Sequence, residues 1–325
     1  MKKICIVGYG AIAPNHAKAL LTAENAEFYA VCDINPDRVA ACRKDYDVVG
    51  YTDFDEVLKD SNIDGVHICT PHYLHYDMVA KALKAGKSVI CEKPVTLTRE
   101  DFDALLQLEE SSRLGLVFQN RLKPCVLKLK ELIEGGTLGK VTNAKAILTW
   151  SRTREYYLSG EWRGKWDTEG GGVLINQAIH TLDLLCYLIG NVSALKATMT
   201  NFSLSDTIEV EDTFSAYLKY AGGATAIFFA TNAYGRNGGI EFEFAFEKGV
   251  ARYSGEKLYI NGELVCEDTV ATGEKAYWGT THGELIHNYY DRQVYFTLPE
   301  VRNTMYTVFG MYESAKKGGV EVTVQ

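Results

Sequence analysis

The sequence predicts an α/β protein in which a doubly wound, parallel Rossmann sheet precedes an α+β domain built on a large open antiparallel sheet. A glycine-rich turn follows the first β-type run at residues 8–13, and strand-like and helical runs then alternate up to residue 122. Beyond residue 193, strand-like runs follow one another with short turns and no helix between them, which indicates antiparallel pairing. We therefore predict a dinucleotide-binding domain over residues 1–122 and a domain for substrate binding and oligomerisation over residues 123–325.

Apolar periodicity predicts the individual elements. The strands of the first domain are predicted at residues 2–7, 26–32, 47–51, 64–70, 87–92 and 115–119, with a first helix over 11–23. The second domain is predicted to contain a helix over 124–134, strands over 141–151, 193–202, 211–220, 223–231 and 240–247, and closing helices over 281–293 and 299–317.

Charge and composition narrow the class of protein. The net charge of −8 and the absence of any basic cluster longer than Lys316-Lys317 argue against a nucleic-acid partner. No apolar run approaches the ~18 residues of a membrane span, so no membrane association is expected. The eight cysteines include no CxxC pair, and four of them lie in apolar strand-like runs. This pattern is typical of free thiols in a reducing compartment and predicts a cytoplasmic location.

The segment GYGAIA after the first strand matches G-x-G-x-x-G/A through Gly8, Gly10 and Ala13. The first glycine permits a tight turn, the second lets the backbone approach a pyrophosphate, and the following helix directs N–H groups at the phosphates. Asp33 ends the second strand, where a carboxylate accepts hydrogen bonds from an adenosine ribose and repels a 2′-phosphate. These residues predict NAD as the cofactor, with Ala11, Ile12 and Arg38 also expected beside it.

Two further segments end predicted strands, where ligands of such sheets bind. They are CTPHYLH and CEKPV, and their expected cofactor-binding residues are Thr70, Pro71, His75, Glu92, Lys93 and Pro94. Lys93 is also expected to reach the substrate, and its bond to Pro94 is a candidate cis peptide. His72 and His75 have no third ligand at a useful spacing, so no metal site is predicted, and His72 is expected on the protein surface.

The run GGGVLINQAIHTLDLLCYLIG, residues 170–190, has the pattern of an apolar helix with one polar stripe. The stripe consists of Asn176, His180, Asp183 and Tyr187, which share one helical face at spacings of four, three and four residues. Two interpretations remain open: the stripe faces a nicotinamide, or His180 and Asp183 form a buried, internally satisfied pair.

A loop rich in aromatic residues and arginine precedes this run. Flat aromatic faces suit sugar C–H groups, and a guanidinium fork suits a carboxylate or phosphate, although the same side chains could simply pack the loop. The cluster comprises Arg152, Arg154, Tyr156, Tyr157, Trp162, Arg163 and Trp166. The substrate-binding residues that we predict are Lys93, Arg121, Tyr156, Trp162, Arg163, Asn176 and His180.

The combination of GYGAIA, TPHYLH, CEKP and GGGVLINQAIHTLD resembles the Gfo/Idh/MocA family of glucose-fructose oxidoreductase and inositol dehydrogenase. The resemblance covers essentially the whole chain and implies sugar- or cyclitol-like substrates, a cofactor-facing Lys93 and a catalytic His180. Many members carry Asp where this chain has Asn176, and the Asn–Gln version resembles a subgroup that includes nucleotide-sugar dehydrogenases. Because Asn176 cannot relay a proton, Asp183 is the remaining carboxylate expected to orient the imidazole.

The sequence thus predicts a dehydrogenase that exchanges a hydride between NAD and a hydroxyl-bearing carbon of a sugar, nucleotide sugar or cyclitol. Two alternatives stay open: a non-catalytic NAD-binding sensor, and a hydrolase or lyase in which NAD is recycled. A homodimer or homotetramer is expected because Ala226 and Phe228 alternate with Ile227 and Phe229, which makes both faces of a strand apolar.

Overall fold

Two units make up the structure, a computed structural model that describes residues 1–269 and 280–324. The first contains Met1–Gln119 and Thr280–Glu300, and the second contains the described residues of Asn120–Gly279 and Val301–Gln325. The first boundary falls three residues before the predicted one. Thr280–Glu300, which the sequence assigned to the second domain, belongs to the first unit.

The first unit is built on a parallel sheet. Its strands are β1 (Lys2–Val7), β2 (Ala26–Cys32), β3 (Val49–Tyr51), β4 (Gly65–Ile68), β5 (Ser88–Cys91) and β6 (Leu114–Leu116). Every adjacent pair is parallel, and the order β3-β2-β1-β4-β5-β6 is that of a Rossmann sheet. The predicted doubly wound sheet is confirmed. Its order reverses at β1 and β4, so the carboxyl ends of these strands form the usual ligand edge.

The helices between these strands begin at local sequence signals. They are α1 (Ala13–Leu20), α2 (Pro36–Asp45), α3 (Phe54–Lys59), α4 (His75–Lys84) and α5 (Arg99–Leu106). The side chains of Asn35 and Thr98 cap α2 and α5 by accepting hydrogen bonds from the first-turn N–H groups of Asp37 and Asp101. Helix α1 is shorter than predicted and has Pro14 in its first turn, where no N–H is needed.

The second unit is built on a mixed sheet. Its strands are β7 (Val141–Thr149), β8 (Val192–Thr200), β9 (Thr213–Tyr220), β10 (Thr225–Thr231), β11 (Ile240–Phe246), β12 (Gly249–Ser254), β13 (Lys257–Ile260), β14 (Glu263–Glu267) and β15 (Val322–Thr323). Among the described residues the order is β14-β13-β12-β11-β7-β10-β9-β8-β15. The predicted large antiparallel sheet is confirmed, with one parallel pair where β7 lies between β10 and β11. It pairs antiparallel with β11 and parallel with β10.

The sheet of the second unit has one covered face and one open face. Side chains of β9 and β10 alternate between the two, as the period-2 pattern predicts. Ala226 and Phe228 are buried at 2% and 1% exposure, whereas Ile227 and Phe229 on the opposite face are 53% and 37% exposed. The open face thus keeps large apolar side chains in contact with solvent.

Most of the remaining helices belong to the second unit, and one of them carries candidate catalytic residues. They are α6 (Pro124–Glu134), α7 (Arg154–Leu158), α8 (Trp166–Glu169) and α9 (Ile179–Ile189); α10 (His282–His287) belongs to the first unit, and α11 (Leu298–Lys316) follows it. Helix α9 is apolar on most sides and buries eight of its residues. Among the described residues, no helix is both long enough and apolar enough to cross a bilayer.

Residues 280–300 complete the first unit by adding to its edge. Helix α10 packs against α1, and Asp291 accepts hydrogen bonds from the backbone of Glu24 and Asn25. The Leu116 N–H on the edge strand β6 donates to the Phe296 carbonyl over 2.9 Å. Tyr289 donates to the Arg113 carbonyl over 2.6 Å. The segment therefore covers an edge that would otherwise present unpaired backbone groups.

Candidate functional site

The turn after β1 has the geometry that a dinucleotide pyrophosphate requires. Gly8 has a φ of +85°, and a Cβ on it would lie 2.8 Å from the Thr70 side chain. Only glycine fits there. A Cβ on Gly10 would instead enter open space, with no atom within 4 Å. That space adjoins the start of α1, with Ala11 in the turn and Ile12 at the N-cap position. The residues present fit a dinucleotide phosphate.

Asp33 lies at the end of β2, as predicted, and is fixed by backbone groups. One carboxylate oxygen accepts from the Tyr9 N–H over 2.8 Å, and the other accepts from the Asn35 N–H over 2.9 Å. The oxygen that accepts from Asn35 has a second lone pair for a ribose hydroxyl. Arg38 approaches the same carboxylate at 3.5 Å with a largely exposed side chain. This pair of residues forms the candidate ribose site.

The end of β4 carries the next predicted residues, and one expectation about its histidines, the exposure of His72, is wrong. His75 is fully buried, and its ring nitrogens lie 2.7 Å from the Pro94 carbonyl and 2.8 Å from the Thr70 carbonyl. It therefore joins two loops, and its place beside the cofactor stays a prediction. Burial lowers its pKa, and a neutral ring can donate to only one of the two carbonyls. His72, which was expected on the surface, is also buried, and Pro71 precedes it at the start of a 3₁₀ turn.

Glu92 begins a buried chain of hydrogen bonds at the end of β5. Its carboxylate accepts from His16 Nε2 over 3.0 Å, and His282 lies 3.8 Å away. The Nδ1 atoms of His16 and His67 are 3.0 Å apart, and His67 Nε2 contacts the Tyr290 hydroxyl at 2.9 Å. All five residues belong to the first unit.

The charge state of this chain follows from its surroundings. Burial acts to raise the pKa of Glu92, but the hydrogen bond and charge of His16 outweigh it and lower that pKa to about 2. Burial lowers the pKa of His67 well below its usual value, so His67 is neutral. Glu92 is therefore an anion held by His16, one position before the candidate catalytic lysine.

Lys93 follows Glu92 directly, and its backbone N–H donates to the Glu92 carboxylate over 3.3 Å. The Lys93–Pro94 peptide bond is cis, which confirms the hypothesis made from the sequence. The carboxylate of Glu92 thus anchors the backbone from which the lysine side chain extends.

In the second unit, Asp183 and Arg121 have different partners from those predicted. Arg121, expected to bind substrate, is 2% exposed and donates two hydrogen bonds to Asp183, of 2.9 and 2.6 Å. Asp183, expected to orient His180, also accepts from the Thr304 hydroxyl over 2.7 Å. A buried bidentate ion pair of this kind satisfies both charges internally. Both residues therefore have structural partners, and the predicted Asp183–His180 pairing is wrong.

The predicted polar stripe is divided. Helix α9 begins only at Ile179, because three glycines and a series of turns occupy residues 170–178, so Asn176 is not on the helix. His180 is half-buried in its first turn. Further along, the Tyr187 ring lies 4.7 Å from the Arg121 guanidinium and continues the buried ion pair. The C-terminal part of the stripe, Asp183 and Tyr187, thus faces Arg121.

Asn176 is held by a residue that the sequence prediction missed. Its side-chain Nδ2 donates to Glu169 Oε1, and the other oxygen of Glu169 accepts from the Gly164 N–H. Glu169 is fully buried, and burial raises its pKa to about 7. Its position just before the glycines gave no periodic signal, because the contact spans irregular turns.

Glu211 is a second buried carboxylate beneath the same glycine turn. It accepts from the N–H groups of Gly172 and Leu174 over 2.9 and 3.1 Å and from the Tyr312 hydroxyl over 2.9 Å. A Cβ on Gly172 would overlap the Glu211 carbonyl, which explains a glycine at this position. Burial raises the pKa of Glu211 to about 7 as well. The backbone on the N-terminal side of Asn176 is therefore anchored to Glu211.

The aromatic loop brings together the residues predicted to bind sugar. The Arg163 guanidinium lies 4.8 Å from the Tyr156 ring and 5.0 Å from the Trp162 ring. The Arg152 guanidinium also lies over the Tyr156 ring, at 5.2 Å, and donates to Asn237. The remaining members are structural or peripheral: Tyr157 is in the core with Ile208 and Val210, Trp166 packs against that cluster, and Arg154 is exposed.

A polar network joins this loop to the segment before α9. Gln177 donates to the Tyr156 hydroxyl over 3.2 Å and accepts from Asn232 over 2.8 Å. Asn232 also donates to the Tyr157 hydroxyl. No sequence pattern identified Asn232, since it follows β10 without a motif. In the part of the chain that the structure describes, no group of three potential metal ligands converges.

A parallel sheet in Rossmann order, with a glycine turn and a carboxylate at adjacent strand ends, defines a dinucleotide-binding protein. Residues 2–119 match the family model described as oxidoreductase family, NAD-binding Rossmann fold, and residues 126–252 match the GFO/IDH/MocA C-terminal domain. The chain belongs to the GFO/IDH/MocA oxidoreductase family. The predicted family and its NAD-binding domain are confirmed.

Individual relatives are dehydrogenases of small polyols and sugars. The chain is 27% identical to levoglucosan dehydrogenase of Pseudarthrobacter phenanthrenivorans, over 70% of this chain and 65% of that protein. It is 28% identical to myo-inositol 2-dehydrogenase of Thermotoga maritima, over 69% of this chain and 67% of the relative. The chain therefore spans about two thirds of the length of these curated relatives.

A solved structure matches over the full chain. It is the WlbA dehydrogenase from Bordetella pertussis in complex with NADH and UDP-GlcNAcA. The TM-score is 0.88 at 26% identity, covering 100% of this chain and 98% of that structure. The match therefore covers the residues of both units.

Proposed function

We propose that the protein is an NAD-dependent dehydrogenase that oxidises a hydroxyl group of a sugar-like substrate or reduces the corresponding ketone. The observation that carries this proposal is the Gly8–Gly10 turn beside Asp33, in a chain whose two halves both match the family. Bound NAD supplies the nicotinamide that exchanges the hydride.

The chain's own residues have separate roles in this proposal. His180 takes the hydroxyl proton as general base, and an imidazole suits that task near neutral pH. Lys93 donates a hydrogen bond to the reacting oxygen and stabilises its developing negative charge. Asn176 contacts a neighbouring hydroxyl. In the reverse direction the same groups return the proton.

The substrate that we propose is a sugar derivative carrying an anionic group, with nucleotide sugars as the first class to test. The Arg163 guanidinium lies within 5.0 Å of the Tyr156 and Trp162 rings and donates to the Ser159 hydroxyl, so its planar fork is held in place for a carboxylate or phosphate while the rings offer flat faces to a sugar. The full-length match to a structure containing UDP-GlcNAcA supports the same class. Free sugars and cyclitols, the substrates in the names of other relatives, are the comparison set.

NADH formation measured on a panel of nucleotide sugars, free sugars and cyclitols tests this proposal. We expect turnover with at least one anionic sugar, and loss of about 10²–10⁴-fold in rate in His180→Ala with NAD binding unchanged. Tyr187→Phe serves as a control on the same helix. Binding of NAD without turnover of any substrate would indicate a sensor, and product formation without net NADH would indicate recycling of the cofactor.

We also propose a homo-oligomer, dimer or tetramer, that buries the open face of the mixed sheet. Exposed Ile227, Phe229 and Tyr217 supply an apolar surface there. The eight free cysteines support a cytoplasmic location.

A further inference from the structure

The side chain of Asn176 can offer a substrate either its carbonyl oxygen or its NH₂ group, and these have opposite hydrogen-bonding roles. We propose that Glu169 is a positioning residue that turns the Asn176 amide so that its oxygen faces the substrate. The site then selects a sugar with a hydroxyl donor beside the reacting carbon. The proposal rests on the proposed function, in which Asn176 contacts the substrate.

The direction of the Glu169 contact is set by the donors around it. One carboxylate oxygen accepts from the backbone N–H of Gly164, which cannot act as an acceptor. The other oxygen faces Asn176, and above its pKa of about 7 the Glu169 carboxyl is ionised and can only accept. The Nδ2 group of Asn176 must therefore point at Glu169. Because Glu169 is fully buried, water cannot replace either donor.

The consequence concerns the opposite side of the amide. Covalent geometry places Oδ1 away from Nδ2, so Asn176 presents an acceptor on the side that faces away from Glu169. A carbonyl oxygen accepts a hydrogen bond from a hydroxyl but repels a keto or ether oxygen. Asn176 therefore acts in the same way as one oxygen of a carboxylate, without its charge.

The backbone that carries Asn176 is held independently. Glu211 binds the N–H groups of Gly172 and Leu174, and the Asn176 N–H donates to the Gly172 carbonyl over 3.1 Å. The position of the Asn176 backbone thus depends on Glu211, whereas the orientation of its amide depends on Glu169. Replacing Glu169 should change the amide more than the turn.

A reciprocal exchange tests this orientation. In Glu169→Gln, the new carbonyl takes the Gly164 N–H, and the new NH₂ meets the NH₂ of Asn176. The Asn176 amide must turn over or lose its partner, so we expect kcat/KM to fall about 10- to 100-fold, as for loss of one buried hydrogen bond. In Glu169→Gln/Asn176→Asp, the glutamine NH₂ donates to the carboxylate introduced at position 176, whose other oxygen again offers an acceptor to the substrate. We expect the double variant to recover most of the loss.

The single Asn176→Asp variant completes the cycle, since it sets two carboxylates against each other and should lower both activity and melting temperature. Glu161→Gln, an exposed change in the same loop, is the matched control and should alter neither. In wild type, a sugar that lacks the neighbouring hydroxyl should have a lower kcat/KM than the parent sugar. Glu169→Gln should not lower the kcat/KM of that sugar any further. A double variant no more active than Glu169→Gln, with both folded, would overturn the proposal.

Melting temperatures of wild type, the two single variants and the double variant without substrate separate this proposal from the proposed function. Recovery of the melting temperature in the double variant supports the orienting hydrogen bond, whether or not any sugar on the panel is turned over. If no sugar is turned over, only the dehydrogenase assignment fails. Additive losses of melting temperature in that situation would overturn the role of Glu169 as well.

Discussion

At the scale of single residues, Glu169 and Glu211 are carboxyl groups whose burial disfavours the ionised form. Each is buried with two or three hydrogen-bond donors, yet burial raises both pKa values from 4.5 to about 7. The pKa of Glu169 is also raised by the charge of Glu211 and lowered by that of Arg163. A raised acid pKa means that the folded state binds the proton more tightly than the unfolded chain, so folding is favoured at low pH.

We predict that the second unit loses stability as the pH rises from about 4.5 to 7 and changes little above that range. Each carboxyl contributes on the order of 3 kcal/mol, at about 1.4 kcal/mol per pKa unit. Unfolding followed by tryptophan fluorescence reports on this unit, since all four tryptophans fall between residues 150 and 278. Glu169→Gln should reduce the slope by about half, and the exposed Glu161→Gln should leave it unchanged. Equal slopes in all three proteins would contradict the assignment.

Asp33 is the residue on which cofactor choice depends. We predict that the protein binds NAD more tightly than NADP, because the Asp33 carboxylate lies where a 2′-phosphate would sit and repels it. Asp33→Ser removes this charge and leaves Arg38 beside the site, so the ratio of the two dissociation constants should shift toward NADP by about 10- to 100-fold, or roughly 1.4–2.7 kcal/mol. Cofactor titration measures the ratio. Asp37→Ser, an exposed acid in α2, is the control, and wild type binding both cofactors equally would refute the role of Asp33.

At the scale of elements, β4 and β5 are joined by a buried chain of hydrogen bonds that runs through Glu92, His16 and His67. Removing His16 would leave the buried Glu92 carboxylate without this hydrogen-bond partner. We predict that His16→Ala lowers the free energy of unfolding by about 3–5 kcal/mol. Adding Glu92→Gln should restore part of this loss, because the uncompensated charge is gone.

Denaturant unfolding of the two single variants and the double variant measures this coupling. The pH dependence of the free energy of unfolding is a second check, because Glu92 should affect it with the opposite sign to Glu169 and Glu211. The pKa of Glu92 is lowered to about 2, so its stabilisation is complete above about pH 4.5 and is lost as the pH falls toward 2. Additive effects of His16→Ala and Glu92→Gln would show that the pair is not coupled.

The elements also show what the sequence could predict. The Rossmann strands, the glycine turn and Asp33 were predictable, because period, turn chemistry and a strand-end acid are local signals. The start of α9 was not, because the apolar run continues through residues 170–178 although their backbone turns around Glu211. The partners of Asp183 were also unpredictable, since Arg121 is 62 residues away and no pattern links the two.

At the scale of the whole molecule, the open face of the mixed sheet leads to a prediction about assembly. Ile227 is 53% exposed beside Tyr217, its neighbour on β9, which is 45% exposed. Ile227→Glu places a charge in that apolar surface and should shift the protein toward monomer in light scattering at micromolar concentration, with the melting temperature little changed. Lys84→Glu, an exposed change in α4 of the first unit, is the control. A wild-type monomer would contradict the proposed oligomer.

The first unit is assembled from two stretches of chain, and this has a consequence for its synthesis. The β6 edge and the outer surface of α1 are covered by residues 280–300, which leave the ribosome only after most of the second unit has been translated. At about 5–20 residues per second, the nascent Rossmann sheet waits on the order of 10–30 seconds with an unpaired edge. During that interval the edge of β6 is open to pairing with other chains, and the sheet is completed only once residues 280–300 have left the ribosome.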